Sequence, residues 1–467
     1  MRTRPNIVLI LADDMGYGDF GCFSEGRATT PTLDQLVRDG LCLTQHYSAS
    51  PVCAPARASL LTGRYPQRTG AIDTLEIRGL DRIALAERTI ADLLRDAGYA
   101  TGLVGKWHNG ALDARYHPTA RGFDEFVGFC GGWHWYRRWS IERGTTPATA
   151  RLADDGRYLT DVFTDEAVSF VERHRTEPFF LHLAYNAPHF PLQSCDEDLA
   201  PFRERGDLTL GVSHIYAMIR RMDAGIARVL EALEQHGLAE NTLVLFSSDN
   251  GPQFGGEGDW CTDRFNCGFR GAKLLVYEGG IRLPMVLRWP AGLDGGRTLD
   301  SLVHFTDWLP TLLGVAGAVP PRERVLDGVD VLPLLQGERG RVSEQRFWQW
   351  NRYTPRLECN AAMRDGAWKL VRPAIAELMK PTQLDLLRDQ ASKSDPAAYP
   401  EIIREPLPEP EPRAAAAPSQ LFDLEHDPTE STDLAAQQPE RVRRMEAALA
   451  DWFAEVDGER RAIPDLA

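Results

Sequence analysis

Short apolar runs alternating with helical segments constrain the fold of this 467-residue chain more than any other feature of its sequence. Residues 6–12, 100–104, 179–184, 242–247 and 284–289 are runs of strand length, nearly unbroken in apolar character, as strands buried on both faces are. Between them, residues 32–38, 89–97, 160–174 and 213–235 place apolar side chains at helical spacing, and Thr89 and Gly98 sit where a cap and a stop belong. This alternation predicts an α/β fold: a large, mostly parallel central sheet flanked by helices on both faces. Sheets of that kind gather their sites at the carboxyl ends of the strands. The polar residues in those places are Asp13-Asp14, Lys106 with His108, His189, and Asp249-Asn250.

From about residue 335 the character changes. Residues 361–371 and 420–424 read as strands of a smaller antiparallel unit, and residues 439–456 as a closing amphipathic helix. Residues 373–418, rich in Pro, Glu and Ala, read as an extended or partly disordered insert. We therefore expect a catalytic α/β domain over 1–335 and a smaller α+β subdomain over 336–467. A net charge of −15 and a pI near 5.3 argue against nucleic acid as a partner, but leave room for a local cationic pocket that takes an anion. No apolar run reaches membrane length, and the first is too short for the core of an export signal. A soluble cytoplasmic protein with no membrane partner is the expectation. The eight cysteines are dispersed without a CxxC pair, and Cys261 and Cys267, the one pair close in sequence, are expected as reduced thiols.

Two pairs of oxygen-bearing side chains, Asp13-Asp14 and Asp249-Asn250, each follow an apolar strand. Converging, they would suit a hard cation, Ca²⁺ or Mg²⁺ rather than Zn²⁺; separately, they would be ordinary turn and cap residues. Cys53 precedes a good helix-forming stretch, residues 54–61, so it belongs at a helix N-terminus where backbone N–H groups favour an anion. Arg57 lies one turn on, on the same face. A bare thiol in that position would be acidified, whereas a lone cysteine is otherwise usually a buried structural residue. Lys106 and His108, two apart, would point to one side of an extended segment. His189 and Lys273 fall in loop-like sequence.

Cys53-Ala54-Pro55-Ala56-Arg57, followed by Ala58-Ser59-Leu60-Leu61-Thr62-Gly63-Arg64, resembles the defining motif of the type I sulfatases of the alkaline-phosphatase-like superfamily. Further matches follow in the family's order: Pro5-Asn6-Ile7-Val8 through Asp13-Asp14, Gly105-Lys106-Trp107-His108, Ala187-Pro188-His189, Ser248-Asp249-Asn250-Gly251 and Gly271-Ala272-Lys273. Position 56 is Ala where Ser is commonest. The resemblance implies that a formylglycine-generating or equivalent maturation enzyme oxidises Cys53 to Cα-formylglycine, whose hydrate attacks the sulfur of a sulfate ester. It implies a divalent cation, Ca²⁺ or else Mg²⁺, held by Asp13, Asp14, residue 53, Asp249 and Asn250. Arg57, Lys106 and Lys273 would neutralise the sulfate, His189 with Lys273 would protonate the leaving group, and His108 would be the base that expels sulfate.

For the substrate, Trp133, His134, Trp135, Arg137 and Arg138 form a segment fit to stack on a sugar and hold a second anionic group, or else an ordinary packed aromatic cluster. Trp260 and Arg270, with Asp259, flank the second metal pair in sequence. A carbohydrate sulfate or an aryl sulfate are both open. A phosphonate monoester or phosphodiester hydrolase of the same superfamily is the alternative enzyme; a silent binder of sulfated ligands is the alternative of another class.

Overall fold

The computed structural model describes residues 4–464 apart from 146–147, 322–323, 339–341, 395–398, 400 and 414. Eleven strands build the main sheet: β1 (Asn6–Ala12), β2 (Leu41–Tyr47), β3 (Ala100–Lys106), β4 (Glu125–Phe129), β5 (Ser140–Thr145), β6 (Ala148–Ala153), β7 (Phe179–Ala184), β8 (Thr242–Ser248), β9 (Arg282–Arg288), β10 (Arg297–Leu299) and β11 (Val303–His304). Their order is β10-β2-β9-β8-β1-β7-β3-β4-β5-β6, with β11 beside β2. The centre, β8-β1-β7-β3-β4, is parallel throughout. The apolar run at 284–289 is β9, which runs antiparallel to both β8 and β2, and β5 is the other reversed strand.

β1 shows why a continuous apolar run is needed. Val8, Ile10 and Ala12 enter one core, with Phe163 and Phe170 of the Leu159–Arg173 helix and Ile219 and Met222 of the Leu210–Gln235 helix. Ile7, Leu9 and Leu11 enter the opposite core, with Leu60, Leu94 and Leu312. Side chains alternate along a strand, so covering both faces demands an apolar residue at every position.

Four further strands form an antiparallel sheet in chain order: β12 (Gln345–Gln349), β13 (Ala361–Asp365), β14 (Trp368–Arg372) and β15 (Gln420–Asp423). The stretch 361–371 is thus two strands, because Gly366 takes a left-handed φ of 58° and reverses the chain. The Pro439–Arg461 helix packs on this sheet through Met445, Leu449, Trp452 and Val456. The 373–418 insert is not simply extended: Gln383–Ser394 is a helix that buries Asp385, Asp389 and Ser392 while Leu384 and Leu387 are each 54% exposed. Part of the insert (395–398, 400 and 414) lies outside the described residues. Every cysteine is a free thiol, Cys261 and Cys267 included. Among the described residues no helix is long and apolar enough to cross a membrane.

Candidate active site

The strand order decides which side chains meet. β8, β1, β7 and β3 are neighbours in that order and run the same way, so their carboxyl ends form one continuous edge about 14 Å wide at the usual strand spacing. Asp249-Asn250, Asp13-Asp14, the 187–189 turn and Lys106 leave that edge side by side. Backbone bonds tie the loops together: the Asp249 N–H donates to the Ala12 carbonyl at 3.1 Å and the Asp13 N–H to that of Ala187 at 3.0 Å.

Above this edge stands the Cys53–Thr62 helix, buried at all ten positions and closed by Gly63 with φ 68°. No side chain caps its N-terminus, so Cys53 occupies the first helical position with the backbone N–H groups beside it unclaimed by a cap. Arg57, one turn on, reaches down to the sheet edge. Its Nε donates to Asp249 Oδ2 at 2.9 Å and its Nη1 to the Lys106 carbonyl at 3.2 Å. Lys106 Nζ donates to Asp13 Oδ2 at 2.6 Å, and Lys273 Nζ to Asp14 Oδ2 at 2.8 Å. Each of three cations is therefore matched by a carboxylate, Arg57 and Lys106 fully buried and Lys273 half-buried.

The oxygen atoms left over point to a cation. Asp13 Oδ1 and Asn250 Oδ1 are buried and accept no hydrogen bond, although an orphaned buried acceptor is costly. Burial, reinforced by Asp249 and Asp14, pushes the Asp13 carboxyl up to about 7 despite Lys106 beside it. Asp13, Asp14, Cys53 and His189 each offer one ligand atom, all within 4.8 Å of one another. Asp249 and Asn250 adjoin this group: Asp249 Oδ1 accepts the Asp14 N–H at 3.3 Å and Asn250 Nδ2 donates to Asp14 Oδ1 at 2.8 Å. His189 is the less suitable member for a hard ion. Its Nδ1 is engaged with the Phe190 carbonyl at 2.8 Å, and its Nε2 stands 3.7 Å from Asp14 Oδ2. The residues present fit a divalent cation.

Burial also sets the proton states. It pushes the Cys53 thiol up to about 11 against the pull of Lys106 and Lys273, so the acidified thiolate expected at a helix N-terminus does not form. Burial, then Lys273, hold the His189 imidazole well below its ordinary value; burial, Lys106, Lys393 and Arg57 do the same to His108. Burial works against the Lys273 ammonium, yet Asp14, Cys53 and Asp13 outweigh it and raise Lys273. At His108 the expected extended segment is not continued: the strand ends at Lys106 and His108 turns with φ 55°.

The family model described as Sulfatase matches residues 5–318, two thirds of the chain and all of this edge. The chain belongs to the sulfatase family. A second family model, N-sulphoglucosamine sulphohydrolase, C-terminal, matches residues 269–397. Steryl-sulfatase of Mus musculus is 33% identical over 450 residues, covering 78% of this chain and 69% of that protein. N-acetylgalactosamine-6-sulfatase of Homo sapiens is 36% identical over 365 residues, covering 71% of this chain and 66% of that protein. The chain thus spans about two thirds of the length of these curated relatives. The crystal structure of Ps i-CgsB in complex with k-i-k-neocarrahexaose superposes with a TM-score of 0.78 at 29% identity, over 96% of this chain and 93% of that one.

Two cavities of about 260 Å³ open beside the centre of this sulfatase. One is lined by Trp133, His134, Trp135 and Arg138 together with Glu76 and Lys393. The other reaches Asp14 and is walled by Pro188, Phe190, Leu192, Ile215 and Phe254. Trp133 links the two, its ring 6.0 Å from that of Phe190. The remaining expected substrate residues are engaged elsewhere. Arg137 lies over the Tyr158 ring, Trp260 stacks on His214 at 5.6 Å, and Arg270 lies over Tyr277 and donates to the Glu430 carbonyl. Sequence reasoning missed Glu76 and Lys393. Neither stands in a motif, and Lys393 sits in the insert taken as extended.

Proposed function

We propose that this sulfatase releases inorganic sulfate from a sulfated saccharide, with Cys53 matured to Cα-formylglycine and a divalent cation held by Asp13, Asp14, residue 53, Asp249 and Asn250. The observation that carries the reading is the pair of orphaned buried oxygens, Asp13 Oδ1 in the group with Cys53 and Asn250 Oδ1 on a side chain bonded to Asp14 of that group. The oxygen side chains of Asp13, Asp14, Asp249 and Asn250 favour Ca²⁺, with Mg²⁺ the alternative. The hydrated aldehyde supplies a nucleophilic hydroxyl, and the cation the charge that ionises it.

The chain's own residues do the rest. Arg57, Lys106 and Lys273 bind and neutralise the sulfate oxygens in a water-excluded site, where fixed charge is most effective. Lys273, raised and therefore protonated, donates to the departing oxygen, with neutral His189 orienting it. His108 accepts the proton whose removal expels sulfate. The saccharide is favoured by the cavity of Trp133, His134, Trp135 and Arg138, an apolar wall with a guanidinium at its rim. It is also favoured by the similarity to a structure solved with a neocarrahexaose. A catalytic division at about residue 335 belongs to the same proposal, as does a formylglycine-generating or equivalent enzyme acting on the Cys53 motif.

Mass spectrometry of the peptide ending at Arg57, paired with sulfate release from defined sulfated sugars and aryl sulfates, tests the reading. An aldehyde or its hydrate at position 53, turnover that Cys53→Ala abolishes, and loss of activity on chelation with recovery on adding Ca²⁺ or Mg²⁺ are expected. Full activity of Cys53→Ala would sink the mechanism. Faster cleavage of phosphate diesters than of any sulfate ester would move the chain to the phosphonate and phosphodiester hydrolases. Unmodified Cys53 with tight binding and no turnover would make it a binding protein.

A further inference from the structure

Two acceptors turn towards one nitrogen of His108. The Thr74 carbonyl oxygen and Glu76 Oε1 each stand 3.5 Å from Nε2. A carbonyl oxygen can only accept, so Nε2 carries the ring proton towards Thr74, with Glu76 Oε1 standing at the same distance. His108 Nδ1 is buried and has no hydrogen-bond partner among the described residues. The imidazole therefore presents a bare lone pair at Nδ1 inside a water-poor site.

Glu76 is held with care for a residue outside every motif. Its Oε1 accepts the Gly132 N–H and lies 3.3 Å from Lys393 Nζ. Oε1 thus faces a backbone donor and the Lys393 ammonium, with His108 Nε2 3.5 Å away. Burial pushes the carboxyl up to about 8 against Lys393, yet a proton taken up would go to Oε2 and leave Oε1 an acceptor. A side chain at position 132 would displace this pair: a Cβ there would come within 2.6 Å of His108 Cε1 and 3.0 Å of Glu76 Oε1. Lys393 ends the Gln383–Ser394 helix, which is fastened to the segment carrying Glu76. Asp389 Oδ1 accepts the Ile77 N–H at 3.2 Å, and Asp385 Oδ1 accepts from Arg78 Nε at 2.9 Å.

We propose that Glu76, steadied by Lys393 of the insert helix, is a positioning residue for His108. It keeps the ring proton on Nε2 and so leaves Nδ1 as the atom that receives a proton during turnover. The catalytic half of this inference rests on the function proposed above; the state of the ring does not.

The ring state is read directly from the ¹⁵N resonances of histidine-labelled full-length protein, with Glu76→Leu and Glu76→Gln beside the wild type and His108→Gln used for assignment. The wild type is expected in the Nε2–H form. Glu76→Leu is expected to populate the Nδ1–H form and to lose kcat on the order of 10–100-fold with KM little changed, the usual cost of removing a histidine's orienting partner. Glu76→Gln, which keeps an acceptor oxygen, should retain the Nε2–H form and lose less. An Nδ1–H ring in the wild type overturns the inference, and that measurement stands even if Glu76→Leu does not fold. So does an unchanged ring in Glu76→Leu, whatever its kcat. A protein that releases no sulfate but shows the expected ring would overturn the proposed function alone.

Discussion

In the proposed reaction Lys273 and His189 divide one task, and their surroundings differ accordingly. His189 is buried and Lys273 half-buried, but Lys273 lies 2.7 Å from Asp14 Oδ1 whereas His189 is 3.7 Å from Asp14 Oδ2 and dominated by desolvation. The ammonium thus keeps its proton and the imidazole does not. Lys273→Met is expected to lower kcat on the order of 10²-fold or more for an alkyl or sugar sulfate, the general-acid range. The loss should be much smaller for nitrophenyl sulfate, whose leaving group needs little protonation. Equal losses on the two substrates would remove Lys273 from proton donation and leave it a charge partner of Asp14. At this scale the sequence was informative because motif residues are chemical types at fixed separations: Asp13, Asp14, Arg57, Lys106, Asp249 and Lys273 all meet within the cluster. What it concealed depends on surroundings. The thiol that a helix N-terminus should acidify is pushed up to about 11, because Cys53 is only 2% exposed. His108 turns left-handed, which no period-2 reading of Lys106 and His108 contains.

The elements that were hard to read are those whose buried faces are polar. The Gln383–Ser394 helix buries Asp385, Asp389 and Ser392, so its apolar pattern points the wrong way and the insert around it looks like linker. Strand β14 repeats the theme at its contact with the main domain. Lys369 Nζ, fully buried, lies 2.8 Å from Glu278 Oε1 and 2.9 Å from Glu430 Oε1. Burial works against the Glu278 carboxylate, but Lys369, then Arg282, hold it down at about 2. Burial raises Glu430 to about 7, with Lys369 opposing and Glu278 assisting. The signs differ. Glu278 binds its proton less readily folded than unfolded, so its stabilisation is present above the ordinary value of 4.5 and is lost as pH falls towards about 2. Glu430 keeps in the folded state a proton that the unfolded chain releases near 4.5, so stability falls as pH rises from about 4.5 to 7. Glu430→Gln keeps the shape and removes that titration. Relative to wild type it should gain up to about 3 kcal/mol between pH 5 and pH 8 in urea melts. A difference between the two proteins that does not change with pH would show that Glu430 is ionised throughout.

At the scale of the whole molecule, an acidic chain builds an anion site by pairing. Arg57, Lys106 and Lys273 face Asp249, Asp13 and Asp14, so these charges pair off and the proposed divalent cation would make the centre positive, while a net charge of −15 lies elsewhere. Long-range attraction then contributes little, and the choice of substrate falls to the two cavities. The parallel sheet and its site edge were legible because apolar strands and the polar residues after them lie in one stretch of sequence. The cavities were not, because each is assembled from distant segments: Glu76, residues 129–142 and the insert helix for one, Asp14, residues 188–192 and 253–264 for the other. Trp133 lines the first and its ring lies 6.0 Å from that of Phe190 of the second, so the proposed saccharide would meet its ring. Trp133→Ala should cost about 1–2 kcal/mol, roughly 5–30-fold in kcat/KM, on a sulfated oligosaccharide. It should leave a small aryl sulfate nearly unaffected. Trp260, 53% exposed and stacked on His214 outside both cavities, supplies the control: Trp260→Ala should change neither substrate. If Trp133→Ala weakens both substrates alike, the ring merely supports the site, and the saccharide assignment loses its main structural argument.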